Sequence, residues 1–339
     1  MPAPETGPWV RIAIDDPSQS LQLSAASIVG SGFVVVGASG GAGEVPRAFS
    51  TVDGATWTEE TISGRFSAPT RLLPWGDRLV GIGSGETSLC AHPYAMSTWV
   101  RSADAIWAEA PFDKVFCDNG GDIVVLDGRL WLAGSVRDLP QLMTSDDGLH
   151  WTSHAGELHG RFPWAAAVDD SGLWVFARDD GGRTTALHRR DGTTFDEIPL
   201  AAPGGQAIDV IAATTIRGEV NVLVAAGDAI GWLRPDQAGG WIQTRVGGMP
   251  PQALGRLAPF GPGVLFIGQD HDGHSVALTS ADGVTWSPIP LPAELTGEFA
   301  VRDIVVGNGR AVLVAQILAP DGSGLVGALW TAPAGVAAP

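Results

Sequence analysis

An eight-residue phrase recurs three times along the chain and constrains its fold more than any other feature. It reads STVDGATW at 50–57, TSDDGLHW at 144–151 and TSADGVTW at 279–286, with Asp, Gly and a closing Trp at the same offsets. The aromatic residues that close this phrase or a looser version of it are 44 to 50 residues apart, at Trp57, Trp107, Trp151, Phe195, Trp241 and Trp286. A period in this range indicates an architecture built by repeating one supersecondary unit.

A second, independent landmark keeps the same period. Short turn sequences such as GSG, LDG and GNG end at residues 32, 77, 128, 172, 218, 263 and 309, which are 44 to 51 residues apart. Between them, runs of Val, Leu, Ile and Trp are bounded by Gly, Asp and Pro, which is the pattern of β-strands. Four strands of about five residues fill one period, and such units are propeller blades. Seven turns therefore predict an all-β, seven-bladed β-propeller, formed as one domain by residues 1–339.

The two ends of the chain predict how the ring closes. The last unit ends in GALWTAPAGVAAP, which supplies a third strand but no fourth. The N-terminal PWVRIAI matches TWSPIPL of the sixth unit, with Trp9 in the place of Trp286. We therefore expect residues 9–14 to form the outermost strand of the last blade.

Composition excludes several classes of partner. The formal net charge is −17, whereas binding to nucleic-acid phosphates needs a basic surface. No apolar run reaches the roughly 18 residues of a membrane span. We therefore expect a monomer that binds a small molecule, a glycan or a protein, with neither nucleic acid nor a membrane span. The N-terminal MPAPETGPW lacks the features of a signal peptide, which fits a cytoplasmic protein or a chain that begins after a removed signal.

The repeated phrase resembles the Asp-box, and the chain is similar to the Asp-box (BNR-repeat) propellers. That superfamily holds sialidases, sortilin-type receptors and a photosystem II assembly factor. Intact boxes contain Asp53, Asp147 and Asp282, a near-intact one contains Asp191, and the remaining boxes are degenerate. An Asp that accepts backbone hydrogen bonds, a Gly at positive φ and a buried Trp are sufficient to explain the box as a turn. The alternative is that the boxes bind calcium or sugar.

The resemblance to sialidases does not extend to their chemistry. It would imply a nucleophilic Tyr with a Glu partner and three arginines on the sugar carboxylate. The single tyrosine, Tyr94, lies in the second unit, whereas the family's nucleophile lies late in the chain. The Arg-Ile-Pro signature is also missing from the sequence. We therefore do not expect sialidase activity.

Loops that enter the blades gather around the channel mouth of a propeller, where ligands bind. Aligning the first strands on their turns predicts that three arginines share one ring position, namely Arg71, Arg256 and Arg302. The same alignment places Ala25, Asp122, Ala165 and Ala212 in that ring. Arginine forks clamp carboxylate or phosphate, so these residues predict an anion-binding hollow. The alternative is that each arginine pairs with an acid such as Asp122 or Asp303 and joins neighbouring blades.

Two further clusters are candidate ligand contacts. Asp270, His271, Asp272 and His274 lie in GQDHDGHS at 268–275, where imidazole and carboxylate groups could hold a divalent metal or form an ordinary turn. We expect no other cofactor. Three loop aromatics are candidates for stacking on sugar rings, namely Tyr94, Phe66 and Phe162.

The two cysteines give information on the cellular compartment of the protein. Cys90 and Cys117 fall in loops on the same face of neighbouring blades, so a bridge with Cα atoms about 5.5 Å apart is feasible. Two free thiols are the alternative. The predicted bridge favours an oxidising, extracytoplasmic location.

Two functions fit these features. The first is a non-catalytic propeller that binds a glycan, an anionic small molecule or a protein through the face around its channel. The second is a hydrolase or lyase of carbohydrate or natural-product chemistry that holds an anionic substrate with the arginines. Its acid–base groups would come from Asp118, Asp122 or His159. We favour the first, because no recognisable catalytic constellation is present, and propellers host both outcomes.

Overall fold

The computed structural model of the chain is an all-β propeller of seven four-stranded antiparallel sheets. It describes residues 8–14, 20–40, 45–62, 69–86, 94–111, 122–136, 139–190, 194–200, 207–227, 229–236, 240–250, 254–260, 263–295, 300–319, 322 and 324–337. The predicted fold class and the predicted number of blades are therefore confirmed. The three short 3₁₀ helices in these ranges are Ala155–Leu158, Ala293–Leu295 and Ala334–Ala337, and none is long and apolar enough to cross a membrane.

Each blade runs from an inner strand to an outer strand, and we number the blades along the chain. The inner strands are Gln22–Val29, Arg71–Trp75, Asp122–Leu126, Phe162–Asp169, Asp209–Ile216, Leu254–Phe260 and Ala300–Gly307. The second strands are Gly32–Ser39, Arg78–Glu86, Arg129–Val136, Gly172–Arg178, Glu219–Ala226, Gly263–Gln269 and Arg310–Leu318. The third strands are Val45–Thr51, Tyr94–Arg101, Leu139–Ser145, Thr184–Arg189, Ala229–Pro235, Ser275–Ser280 and Leu325–Pro333. The outer strands of blades 1 to 6 are Thr58–Glu60, Trp107–Pro111, Thr152–Ser153, Asp196–Pro199, Trp241–Arg245 and Ser287–Pro288.

The N-terminus closes the ring as predicted, with a shorter strand. Val10–Ile12 pairs antiparallel with Leu325–Pro333, so it is the outer strand of blade 7. Trp9 is buried, and its indole N–H donates to the carbonyl of Pro290 in blade 6 at 2.6 Å. The first and last parts of the chain therefore lock together, and blade 7 contacts blades on both of its sides.

The core is divided among the seven blade interfaces. The described residues form seven buried hydrophobic clusters, and each cluster draws its side chains from two adjacent blades. Ala25 belongs to the cluster between blades 1 and 2, whereas the next residue, Ala26, belongs to the cluster between blades 7 and 1. Successive inner-strand side chains therefore alternate between the following and the preceding blade, as strand geometry requires.

Candidate functional site

The pairing of the inner strands defines the ring of equivalent positions at the channel. Counted back from each hairpin, the fifth residue of the inner strand pairs with the fifth residue of the second strand in every blade. These seven residues are Ala25, Arg71, Asp122, Ala165, Ala212, Arg256 and Asp303. We call them the inner ring. Six of them agree with the sequence alignment.

The placement of Arg302 in this ring was wrong. The hairpin of blade 7 pairs Gly307 with Arg310, so Asp303 lies opposite Val314 and takes the inner-ring position. Arg302 is the sixth residue from the hairpin. A slip of one residue changes which side chain occupies a given position on a strand. Arg256 therefore meets Asp303 instead of a third arginine.

Two ion pairs cross between blades on the inner ring. The guanidinium of Arg71 in blade 2 pairs with one oxygen of Asp122 in blade 3. The other oxygen of Asp122 accepts the backbone N–H of Ala166 in blade 4 at 3.1 Å. Arg71 is therefore neutralised, and its pair with Asp122 joins three blades.

The same arrangement recurs on the opposite side of the ring. Arg256 in blade 6 pairs with Asp303 in blade 7. The second oxygen of Asp303 accepts the backbone N–H of Ala26 in blade 1 at 2.9 Å. These contacts match the alternative in which the arginines pair with Asp122 or Asp303. They leave little free positive charge on Arg71 and Arg256 for a ligand.

In four blades, the described part of the inner strand has a β-bulge directly on the entry side of the inner ring. The register of the inner hairpin shifts there by one residue. The residues that these shifts leave without a partner on the second strand are Ser24, Trp164, Ile211 and Arg302. A bulge leaves its extra residue unpaired and re-aims its side chain, and bulges are common beside functional sites. Trp164 and Arg302 are the two exposed members of this set, and we call this pair the mouth pair.

Arg302 is the charged member of the mouth pair. One of its terminal amines donates to the amide oxygen of Gln316 at 2.5 Å, and the amide of Gln316 in turn donates to Gln22 at 3.3 Å. Within the described ranges, no carboxylate lies at ion-pair distance from this guanidinium. The residue is exposed, yet desolvation by the surrounding protein lowers the pKa of its guanidinium. Both properties fit a cation at the channel mouth that has no carboxylate partner among the described residues.

Trp164 is the aromatic member of the mouth pair. All thirteen tryptophans lie in the described ranges, and Trp164 is the one that is exposed, with 58% of its surface accessible. It is preceded by buried Pro163 and followed by buried Ala165. Sequence reasoning missed this residue. The available signal was FPWAAAVD, in which a large aromatic directly precedes three alanines of an inner strand.

The acid–base candidates that the structure describes, Asp122 on the inner ring and His159, do not come together. Both oxygens of Asp122 are engaged by Arg71 and Ala166. His159 lies in the connection to blade 4, and its ring nitrogen is 3.3 Å from Glu197 on the outer strand of that blade. Arg161 also binds Glu197, at 2.6 Å, and this bond lowers the pKa of Glu197. His159 is therefore placed at the periphery. Asp118 lies outside the described residues.

The aromatic loop candidates are only partly described. Phe162 begins the inner strand of blade 4 and is half-buried, two residues before Trp164. Tyr94 begins the third strand of blade 2. Phe66 lies outside the described residues, as do Cys90 and Cys117, so the disulfide stays a prediction.

Three of the four metal candidates are close together. Ligand atoms of Asp270, Asp272 and His274 lie within 4.8 Å of one another, in an exposed hairpin loop. One oxygen of Asp270 accepts the backbone N–H groups of Asp272 at 3.0 Å and His274 at 2.9 Å. Burial opposes ionisation of Asp270, but these bonds and the nearby imidazole give its pKa a net downward shift. His271 is not part of the group. The geometry is that of an acidic turn, which is common without a metal.

The intact boxes form turns on the other face of the propeller. In the first box, one oxygen of Asp53 accepts the N–H groups of Ala55 and Thr56, both at 2.8 Å. These bonds and that from the Thr51 hydroxyl lower the pKa of Asp53 to about 2. The boxes around Asp147 and Asp282 repeat the same pattern.

The box glycines pack on the preceding blade. A Cβ on Gly148 would lie 2.6 Å from Val100 of blade 2, and one on Gly283 would lie 2.2 Å from the indole of Trp232 in blade 5. Both glycines have positive φ, at 76° and 77°. The boxes therefore serve as turns that fasten adjacent blades, which is their structural explanation.

Comparisons with known proteins support the propeller fold. No family model matches the chain, and no curated protein is similar to it in sequence. A catalytically inactive variant of virginiamycin B lyase from Staphylococcus aureus, solved with quinupristin, matches with a TM-score of 0.62 and 10% identity, over 96% of this chain and 99% of that one. A streptogramin B lyase matches with a TM-score of 0.58 and 11% identity, over 96% and 97%. Puromycin hydrolase matches with a TM-score of 0.53 and 14% identity, over 90% of this chain and 52% of its own. These likenesses show the fold alone.

Proposed function

We propose that the chain is a non-catalytic binding propeller that holds a small anionic molecule at the channel mouth through Arg302. The observation that carries this proposal is the absence of a carboxylate partner for Arg302 within the described ranges, while both inner-ring arginines are paired. A partly desolvated cation without a counter-charge is costly. A bound carboxylate or phosphate would remove that cost.

The shape of the Arg302 side chain supports the same ligand class. A guanidinium has five N–H donors, so the bond to Gln316 leaves donors for an incoming anion. Gln316 is buried, and its link to Gln22 of blade 1 restrains the guanidinium before any ligand arrives. A guanidinium that is already held in place loses little conformational entropy when a ligand binds. This favours binding of a carboxylate, whose two oxygens match two guanidinium N–H groups.

The net charge of −17 opposes this binding at long range. Electrostatic steering would repel an anion, so affinity must come from short contacts inside the mouth. We therefore expect binding to strengthen moderately as salt screens the overall repulsion. A site that relied on a broad basic surface would weaken in salt.

A hydrolase or lyase at the same mouth is the second function. The similar folds include a lyase and a hydrolase, but their identities of 10–14% carry the fold and not the reaction. Asp122, the one described candidate acid on the inner ring, has both oxygens engaged, and His159 is at the periphery. Binding without catalysis therefore fits the described residues better.

The extracytoplasmic location is part of this proposal and rests on the predicted Cys90–Cys117 bridge. The two thiols are counted by alkylation of the unreduced protein and mass measurement. We expect no alkylated cysteine before reduction and two after it. Two alkylated thiols before reduction would remove the argument for an oxidising compartment.

The binding proposal is tested by thermal shift and calorimetry with acetate, inorganic phosphate, benzoate and glucuronate. A ligand present at 100 times its Kd stabilises the fold by about 2.7 kcal/mol, which is readily measured. We expect Arg302→Gln to abolish the effect and leave the unliganded melting temperature nearly unchanged. Arg245→Gln is the matched control, because Arg245 is exposed on the outer strand of blade 5. If no anion stabilises the wild type, or if both variants bind equally, the proposal is wrong.

A further inference from the structure

The position of Trp164 indicates which kind of anion binds at the channel mouth. The other tryptophans are buried or half-buried, mostly in the interfaces between blades. Trp164 instead lies at a bulge on an inner strand, and the three alanines that follow it are each at most 4% exposed. An indole on this strand could have packed between blades. The bulge directs it to solvent at the entry side of the channel.

The two residues of the mouth pair lie on opposite sides of the ring. Trp164 is on blade 4 and Arg302 is on blade 7, three blades apart on a ring of seven. The inner strands of most neighbouring blades are in contact around the channel, so strands three blades apart face each other across it. An exposed indole and an exposed guanidinium on opposite sides of the mouth are available to contact two different parts of one bound molecule.

The inner ring carries small residues beside Trp164. Three of its seven residues are alanines, and two of them, Ala165 and Ala212, occupy adjacent blades beside Trp164. The two ion pairs lie on either side of this stretch, so the inner-ring residues nearest to Trp164 are small and uncharged. A flat apolar ring fits there better than a charged or strongly hydrated group.

We infer that the ligand of this site is a six-membered ring that bears a carboxylate, with the ring stacked on Trp164 and the carboxylate bound to Arg302. This inference rests on the proposed function, which requires only the anion. Stacking on an indole suits both an aromatic ring and the apolar face of a sugar. The shared chemistry therefore covers aromatic acids and uronic acids, and the experiment separates these two sources.

The test compares benzoate, glucuronate and the acyclic butyrate by calorimetry on the wild type and three variants. For wild type we expect at least one ring acid to bind about tenfold tighter than butyrate. Trp164→Ala should remove that preference and retain the weak binding of butyrate. Arg302→Gln should remove binding of all three. Leu139→Ala is the matched control, because Leu139 has a similar exposure of 61% but starts a third strand, away from the inner ring.

Acrylamide quenching provides a readout that does not depend on affinity. Trp164 is the exposed indole, so it should account for most of the accessible fluorescence. A saturating ring acid should protect this fraction in the wild type, whereas Trp164→Phe should lack the fraction altogether. Retained binding by Trp164→Phe would agree with stacking, since phenylalanine keeps an aromatic face.

The outcomes separate the two proposals. If ring acids and butyrate bind equally and Trp164→Ala has no effect, the ring inference is wrong and anion binding stands. If no anion binds at all, both proposals fail. The uncharged counterparts of benzoate and glucuronate are phenol and glucose. If either binds as tightly as the corresponding acid and Arg302→Gln has no effect, the anion proposal fails, and the inference of a ring carboxylate fails with it.

Discussion

Asp122 and Asp303 occupy the same inner-ring position in different blades, and replacing each by asparagine gives a matched pair of perturbations. Each carboxylate serves an arginine of the preceding blade and a backbone N–H of the following blade. The arginine and the N–H bind different oxygens of the carboxylate, and asparagine replaces one of these oxygens by an NH2 donor, so one of the two partners loses its acceptor. The two sites differ in solvent access, because the side chain of Asp303 is 4% exposed and that of Asp122 is 25% exposed.

The difference in burial sets the expected magnitudes. At Asp303, little water can replace the lost bond, and a hydrogen bond to a charged group contributes about 1.5–3 kcal/mol. At Asp122, water reaches the pair, and exposed ion pairs contribute roughly 0.2–1 kcal/mol. We therefore expect Asp303→Asn to lower the free energy of unfolding by about 2 kcal/mol and Asp122→Asn by about 1 kcal/mol.

Urea unfolding followed by tryptophan fluorescence measures both values. The shift in midpoint at constant m-value gives the change in stability, provided that each protein unfolds in one transition. Adding Arg256→Met to Asp303→Asn completes a double-mutant cycle, and we expect the second change to cost less than it does alone. Equal losses at the two sites, or a larger loss for Asp122→Asn, would refute the view that Asp303 joins blades 6, 7 and 1 through a buried carboxylate.

Two further predictions concern the box turns and a buried histidine. Gly283→Ala places a methyl group 2.2 Å from Trp232 at a φ of 77°. Calorimetry should show that it lowers the free energy of unfolding by about 3 kcal/mol. The control, Gly273→Ala, should lower it by only about 1 kcal/mol, because its φ is similar, at 81°, but nothing lies within 4 Å of the added methyl group. His188 is 2% exposed, and desolvation lowers its pKa, so the unfolded state takes up the proton first as pH falls below about 6.5. Stability should therefore decrease between pH 6.5 and 5, by at most about 1.4 kcal/mol per pH unit, and an equally steep slope in His188→Gln would contradict this assignment.

The blade count and the closure of the ring were predictable because they depend on local and periodic signals. Four short strands and their turns need about 45 residues, and each box turn forms from hydrogen bonds among neighbouring residues. The match of Trp9 to the box aromatics reflects one packing requirement, a large ring buried beside the outer strand. These signals can be recognised in the sequence without knowing which distant residues are in contact.

The candidate site depended on contacts that no local pattern contains. Whether Arg302 or Asp303 joins the inner ring is decided by a single residue of hairpin register, and the bulge that exposes Trp164 arises from pairing across two strands. Arg256 and Asp303 are far apart in sequence and meet because blades 6 and 7 are adjacent. The sequence by itself therefore determined the seven-bladed frame. Only the tertiary structure decided which arginines are neutralised and which side chains face the channel, because charge pairing and exposure are properties of neighbouring blades together.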